Sequence, residues 1–224
     1  MATLAGCDKA DKVSDTTKKP VIKIGSDNYP PYNFLNEDGI PTGIDVELAT
    51  EAFRRMGYRT EIVQINWEKK KELLANGELD CVMGSFSMTG RENEYRWAGP
   101  YLASRQVVAV DPESDIYTLA DLKDKVVAVQ STTKPEGILL NSTNENVPQI
   151  KELYSFSDRS YLNPALVEGL VDAIAAHESS LLTYEKDYGV TYRILDEPLL
   201  EVGLGTAFDI NDTRGIDVKL THAY

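Results

Sequence analysis

The feature that most limits what this chain can become is a repeated alternation of short β-branched runs with amphipathic, cap-bounded segments. Residues 21–25 (VIKIG), 59–65, 79–83, 106–110 and 126–130 read as strands, and residues 173–175, 192–195 and 202–208 as further ones. Between them, residues 44–56 place Ile44, Leu48, Ala52 and Met56 on one stripe beside Ala49 and Phe53, and Gly57 stops the helix. Shorter helices are predicted over 68–75, 119–122, 135–140, 164–170, 179–187 and 213–220. Strands separated by helices pair most readily in parallel, so the fold class is α/β with mostly parallel sheets. With 224 residues the chain suffices for one large domain or two lobes of about 100 residues each. Periodicity alone does not choose between one sheet and two.

Composition removes several functions. The chain carries 23 Lys+Arg against 36 Asp+Glu, a net charge of −13, which argues against a phosphate-tracking nucleic-acid surface. Its longest basic runs, Lys69-Lys70-Lys71 and Lys18-Lys19, are flanked by acids or lie in a tail and read as solvated. Two Cys and two His leave too little for a metal site or a disulfide framework. No stretch approaches the roughly 20 apolar residues of a membrane span. There is no Gly-rich phosphate loop and no G-x-S-x-G elbow, so neither a cofactor nor a catalytic nucleophile is indicated. His177 with Glu178 could serve as an acid–base pair, but a strand-to-helix turn explains them as well.

Two strand ends are more informative. In Gly84-Ser85-Phe86-Ser87-Met88-Thr89-Gly90-Arg91 an apolar strand opens into small hydroxyl residues and an Arg, the makings of a carboxylate clamp. In Gln130-Ser131-Thr132-Thr133-Lys134-Pro135-Glu136 a second strand ends in hydroxyls, and Thr133-x-x-Glu136 reads as a capping box. Each alone is equally a surface turn or a helix cap. Together they lie where α/β strands present ligand sites. The Pro-stiffened loop Asn28-Tyr29-Pro30-Pro31-Tyr32-Asn33-Phe34 and Trp67 add rings that either pack on a ligand or lid the core.

Near the start, Leu4-Ala5-Gly6-Cys7 resembles the lipobox of bacterial lipoproteins, the end of a signal peptide whose charged and apolar parts do not precede it. The polar stretch 8–19 then reads as a tether, Cys7 as a lipid anchor, and Cys81 as an unpaired core thiol.

Taken in order, Tyr29-Pro30-Pro31-Tyr32-Asn33-Phe34, Gly43-Ile44-Asp45, Gly77-Glu78-Leu79-Asp80, the Ser/Arg turn, Trp97-Ala98-Gly99-Pro100-Tyr101, Leu119-Ala120-Asp121-Leu122, Val171-Asp172-Ala173-Ile174 and Gly203-Leu204-Gly205-Thr206 resemble the family of ABC-importer solute-binding proteins that capture polar amino acids. The resemblance covers about residues 21–220. It implies a type II two-lobe periplasmic-binding-protein-like fold, with two mixed or parallel sheets joined by two crossover strands. Residues 1–18 would be lipobox remnant and tether, 19–103 plus 203–224 lobe one, and 104–202 lobe two. The family pattern assigns the α-carboxylate of the ligand to Arg91, Ser87 and the Gly84-Ser85 peptides, with Thr132 and Thr133 closing from lobe two beside Gln130. It places Tyr29 and Trp67 against the ligand, with Asp27 beside them. It implies a monomer at the extracellular face, bound to the membrane only through its lipid, that delivers an amino acid-like ligand to an ABC permease. A ligand-sensing receptor domain or a cyclohexadienyl dehydratase-like enzyme using Glu178 or Asp27 are the alternatives on the same fold.

Three positions depart from the pattern. One residue, not two, separates Thr89 from Arg91. The amine-binding Asp of the family falls on His177, leaving either His177 or Glu178 to receive the ammonium, with an acidic side chain completing that site. The chain ends at Tyr224, where the family adds a helix, which predicts an apolar groove on lobe one.

Overall fold

A computed structural model describes residues 19–141 and 144–224; Cys7 and the tether through residue 18 lie outside the described residues. Three parallel strands make up one end of the molecule: β1 (Val21–Ser26), flanked by β4 (Arg59–Gln64) and β5 (Cys81–Val82). A short hairpin, β2 (Phe34–Leu35) and β3 (Pro41–Thr42), leads into helix α1 (Ile44–Arg55), and α2 (Lys70–Ala75) follows a 3-10 turn over Trp67–Lys69. The other end repeats the plan with β7 (Val126–Gln130) between β8 (Glu152–Phe156) and β9 (Ala173–His177), all parallel, covered by α3 (Lys134–Asn141), α4 (Leu162–Val167) and α5 (Glu178–Tyr188).

Two long strands join these ends. The 15-residue β6 (Arg96–Val110) and the later β11 (Leu200–Phe208) run antiparallel, from Leu200 opposite Gln106 to Phe208 opposite Arg96, with an irregularity between Leu204 and Thr206. The short β10 (Arg193–Ile194) also pairs with β6. Hydrogen bonding therefore runs through the crossing strands, in the order β4-β1-β5-β11-β6-β9-β7-β8, so the two expected sheets are continuous across β11 and β6.

Separate cores lie on either side of the crossing. In one half, Ile22, Ile24, Phe53, Met83 and Phe208 pack with Ile216 and Leu220 of α6 (Ile216–Ala223). In the other, Val108, Val127, Val129, Leu119 and Leu122 form one cluster and Val107, Ala128, Ile174 and Leu181 another on the opposite sheet face. Tyr29, Tyr32, Val202 and Leu204 make a small cluster at the junction. Cys81 is a fully buried thiol in the first core, its pKa pushed up by burial. Among the described residues no helix is long and apolar enough to cross a membrane.

Tyr224 packs its ring 5.4 Å from Tyr101 and shares a 2.6 Å hydrogen bond with Thr206 Oγ1. A hollow beside β4 on this half is lined by Lys23, Glu61, Lys69 and Glu78 together with Val63, Ile65, Leu73 and Leu79. The expected Thr133–Glu136 capping box is replaced. Glu136 accepts from the Thr132 N–H at 2.6 Å, while Thr133 Oγ1 donates to the Gln130 carbonyl at 2.6 Å. Thr132, at φ 60°, turns the chain so that its own N–H, one residue earlier than expected, faces the Glu136 carboxylate.

Candidate functional site

The ends of β1, β5, β7 and β9 face one another across the crossing strands and line a narrow, partly open cavity of about 30 Å³. Trp67, Gly84, Ser85, Ser87 and Arg91 line it from the first half. Gln130, Thr133, Lys134, Arg159 and His177 line it from the second, with Tyr29 and Gln106 at the junction. Most of the residues predicted from the sequence thus meet at one place.

The turn after β5 depends on helix α1. Asp45, buried in its first turn, accepts from the Gly84 and Ser85 N–H groups at 2.8 and 2.7 Å through Oδ2. Burial pushes the pKa of this carboxyl up, and the two N–H bonds and Tyr101 oppose that shift. Gly84 is required here: at φ 112° a Cβ would lie 2.6 Å from Ser26 Oγ. The Gly84-Ser85 peptides expected to hold a ligand carboxylate are therefore engaged by Asp45. Ser85 Oγ, buried and lining the cavity, has no hydrogen-bond partner among the described residues.

Arg91 reaches the cavity despite its shortened spacing. Its guanidinium donates to the Ser87 carbonyl at 3.2 Å and across the cleft to the Thr132 carbonyl at 3.0 Å, and it lies 5.2 Å from the Phe86 ring centroid. Thr132 does not line the cavity. Its hydroxyl accepts from Lys70 Nζ at 2.7 Å, so it acts as a contact across the cleft and not as a ligand clamp. Thr133 does line it. Lys70, from the run read as solvated, is 4% exposed, sits 4.8 Å from the Trp67 ring centroid, and is held near pKa 7 by burial and then by the charge of Arg91.

His177 and Glu178 part company. Gln106 Nε2 lies 2.7 Å from His177 Nε2, and Ser104 Oγ lies 2.8 Å from Nδ1. With the Gln106 amide donating, Nδ1 carries the ring proton and gives it to Ser104. Both nitrogens are then taken, so His177 has no lone pair for a ligand ammonium. Burial, and secondarily the charge of Arg159, push its pKa down to about 3, so the ring is neutral. Glu178 opens α5 and turns away from the cavity to pair with Arg105 at 2.9 Å, beside a different hollow with Ser179 and Glu201. It cannot supply the counter-charge.

Asp27 is committed through one oxygen only, its Oδ1 being buried without a hydrogen-bond partner among the described residues. Its Oδ2 accepts from Gln130 Nε2 at 2.7 Å and from Arg159 Nε at 2.9 Å. The Arg159 guanidinium lies 3.1 Å from the Tyr29 ring centroid, so the ring expected to stack on a ligand carries the protein's own cation. Arg159 at the cavity wall, and Lys70 and Asp45 behind it, were not legible as site residues, since tertiary contacts alone bring them there. Among the described residues no group of three His, Cys, Asp or Glu side chains could hold a metal.

A cavity at parallel-strand ends between two α/β halves, with an Arg and hydroxyls at its wall, is the arrangement of a small-molecule binding protein. Residues 22–183 match the model of the bacterial extracellular solute-binding proteins, family 3, and the chain belongs to that family. It is 29% identical to the histidine-binding periplasmic protein of Salmonella typhimurium over 207 residues, covering 86% of this chain and 77% of that one. It is 27% identical to the L-cystine-binding protein TcyA of Bacillus subtilis over 175 residues, 77% of this chain and 63% of TcyA. A crystal structure of Tv2483 bound to L-arginine superposes with a TM-score of 0.82 at 29% identity, covering 94% of this chain and 86% of that one.

Proposed function

We propose that the protein captures an amino acid between its lobes and delivers it to an ABC permease at the extracellular face of the membrane. Lobe one comprises residues 19–103 and 203–224, lobe two residues 104–202, and Cys7 carries the lipid of a monomeric, membrane-tethered receptor. The observation that carries this reading is the cavity between the halves with Arg91 at its wall, bridged by bonds that span both halves: Lys70 to Thr132, Arg91 to Thr132, Lys134 to the Gly90 carbonyl at 3.0 Å, and Gln130 to Asp27. Arg91 holds the ligand α-carboxylate, helped by the Ser85 and Thr133 hydroxyls. In this reading the protein binds and does not catalyse; Asp27 and Glu178, the two carboxylates weighed for acid–base work, are each ion-paired to an arginine.

Calorimetry against the twenty amino acids tests this. A charge-assisted carboxylate contact in a closed cleft contributes about 2–5 kcal/mol, so Arg91→Ala should weaken the preferred ligand by roughly 30-fold to several thousand-fold. Unchanged affinity would remove Arg91 from the site, and no binding of any amino acid would discard the function.

A further inference from the structure

Among the described residues three cationic side chains line the cavity, Arg91, Lys134 and Arg159, and no carboxylate does. A fourth cation, Lys70, lies buried behind the Trp67 and Phe86 rings, 4.8 and 5.8 Å from their centroids. Asp27, bonded to the lining residues Gln130 and Arg159, would with Tyr29 recognise a cationic ligand side chain, since a carboxylate beside an aromatic face suits a guanidinium or ammonium. The chain fills that position itself. Arg159 stands 3.1 Å from the Tyr29 centroid and pairs with Asp27 at 2.9 Å, each side chain 12% exposed. A ligand with a cationic side chain would have to displace a buried ion pair and then share the cavity with like charges.

Arg159 uses only Nε in its pair with Asp27, so its two terminal nitrogens remain as donors among the described residues. Among the described residues, two further polar atoms of cavity-lining residues are buried without a partner, Ser85 Oγ, which can donate to a carboxylate, and Gln130 Oε1, which can accept from an ammonium, as can the unpartnered Asp27 Oδ1 beside it.

We infer that Arg159 is the specificity-determining residue, plugging the subsite for a cationic side chain from within and making the cavity select an acidic amino acid. This rests on the amino-acid-binding function proposed above. Arg91 and Ser85 Oγ take one carboxylate, Arg159 and Lys134 the other, and Gln130 Oε1 the ammonium.

Calorimetry with L-glutamate, L-aspartate, L-glutamine, L-arginine and glutarate tests the inference. The expected result for the wild type is that glutamate or aspartate binds at least tenfold more tightly than glutamine and arginine, with glutarate weaker for want of the ammonium. Arg159→Ala should lose at least tenfold in the acidic ligand and gain arginine binding. The double variant Asp27→Asn/Arg159→Ala leaves no unpaired buried carboxylate and should not gain arginine. Melting curves without ligand establish that both variants are folded, and the wild-type ranking decides should either fail. Tighter wild-type binding of arginine or of a neutral amino acid overturns the inference while leaving the amino-acid-binding function standing. Glutarate binding as well as glutamate does the same. An unchanged ranking in folded Arg159→Ala removes Arg159 from specificity, and binding of no amino acid at all overturns both.

Discussion

Lowering the pH from 8 to 5 titrates His177 in the unfolded chain but not in the folded one. An unfolded histidine has a pKa near 6.5, whereas burial and then the Arg159 charge hold His177 at about 3. Below 6.5 the unfolded chain therefore binds a proton that the native state refuses, and stability falls with pH until about 3. From 6.5 to 5 the span is 1.5 units, and at about 1.4 kcal/mol per unit the loss is roughly 2 kcal/mol. His177 is 4% exposed, so little solvent screening reduces that figure. Urea denaturation midpoints at pH 8, 6.5 and 5 measure it, with His177→Asn as the control that keeps a polar group but cannot titrate. The difference between the two proteins should be constant from pH 8 to 6.5 and narrow by about 2 kcal/mol at pH 5. Parallel acid slopes would mean that His177 protonates normally, and so that the ring is not enclosed between Ser104 and Gln106. Ligand affinity between pH 5.5 and 8 should likewise carry no His177 transition.

Asp45→Ala strands the two buried N–H groups of Gly84 and Ser85; at about 1–3 kcal/mol each it should destabilise by roughly 2–6 kcal/mol in urea titrations, while Asp45→Asn, which keeps one acceptor, costs less. A loss under 1 kcal/mol would show that water replaces the carboxylate. Lys70, held near pKa 7 in the folded protein against 10.5 unfolded, should make stability rise by about 1.4 kcal/mol per unit between pH 7 and 10, a slope that Lys70→Met abolishes; equal slopes would place the ammonium in water. Saturating ligand should shrink the radius of gyration measured by small-angle scattering, and identical profiles with and without it would refute hinge closure.

Elements buried on both faces were the legible ones. The uninterrupted apolar run Val127-Ala128-Val129, wholly buried between β8 and β9, located β7 to the residue. The α1 stripe was readable because Ala49, Ala52 and Phe53 face one core. By contrast β8, a half-exposed edge strand with Glu152 and Ser155 among its residues, gave no clear period. The first ten residues of β6 were missed because Gly99 and Pro100 normally interrupt strands; there the Gly99 N–H is taken by Thr221 Oγ1 at 3.1 Å instead of a ladder partner. At the site, Tyr29, Ser87, Arg91, Gln130 and Thr133 could be read because each lies at or just past a strand end. Proximity in sequence misled for Glu178: one residue past His177 the chain becomes helical, and the side chain swings to Arg105. The middle lysine of a charged run could not be told from its neighbours until Trp67 and Phe86 closed over it.

The two recognition elements at the mouth of the fold are both satisfied by the chain itself. Asp45 takes the paired N–H groups that would suit a ligand carboxylate, and Arg159 takes the acid-and-ring pair that would suit a ligand cation. Ion pairs and charge-assisted bonds formed in advance need no reorganisation when a ligand arrives, so they hold the walls of the cavity at fixed spacing. They also remove the backbone from recognition and leave it to side chains projecting between the lobes. Of those, Arg91 and Lys134 each touch a backbone carbonyl of the opposite half, Thr132 and Gly90 respectively. Recognition and closure therefore draw on the same cations. A ligand anion that approaches Arg91 competes with the Thr132 carbonyl for its donors, and because an ionised acceptor binds a guanidinium more strongly than a neutral one, the competition favours the anion. Every amino acid brings such an anion in its α-carboxylate, so in the proposed function the group that binds Arg91 would also take over the donors now spent on Thr132, and side-chain charge would be discriminated elsewhere in the cavity, at Arg159 and Lys134.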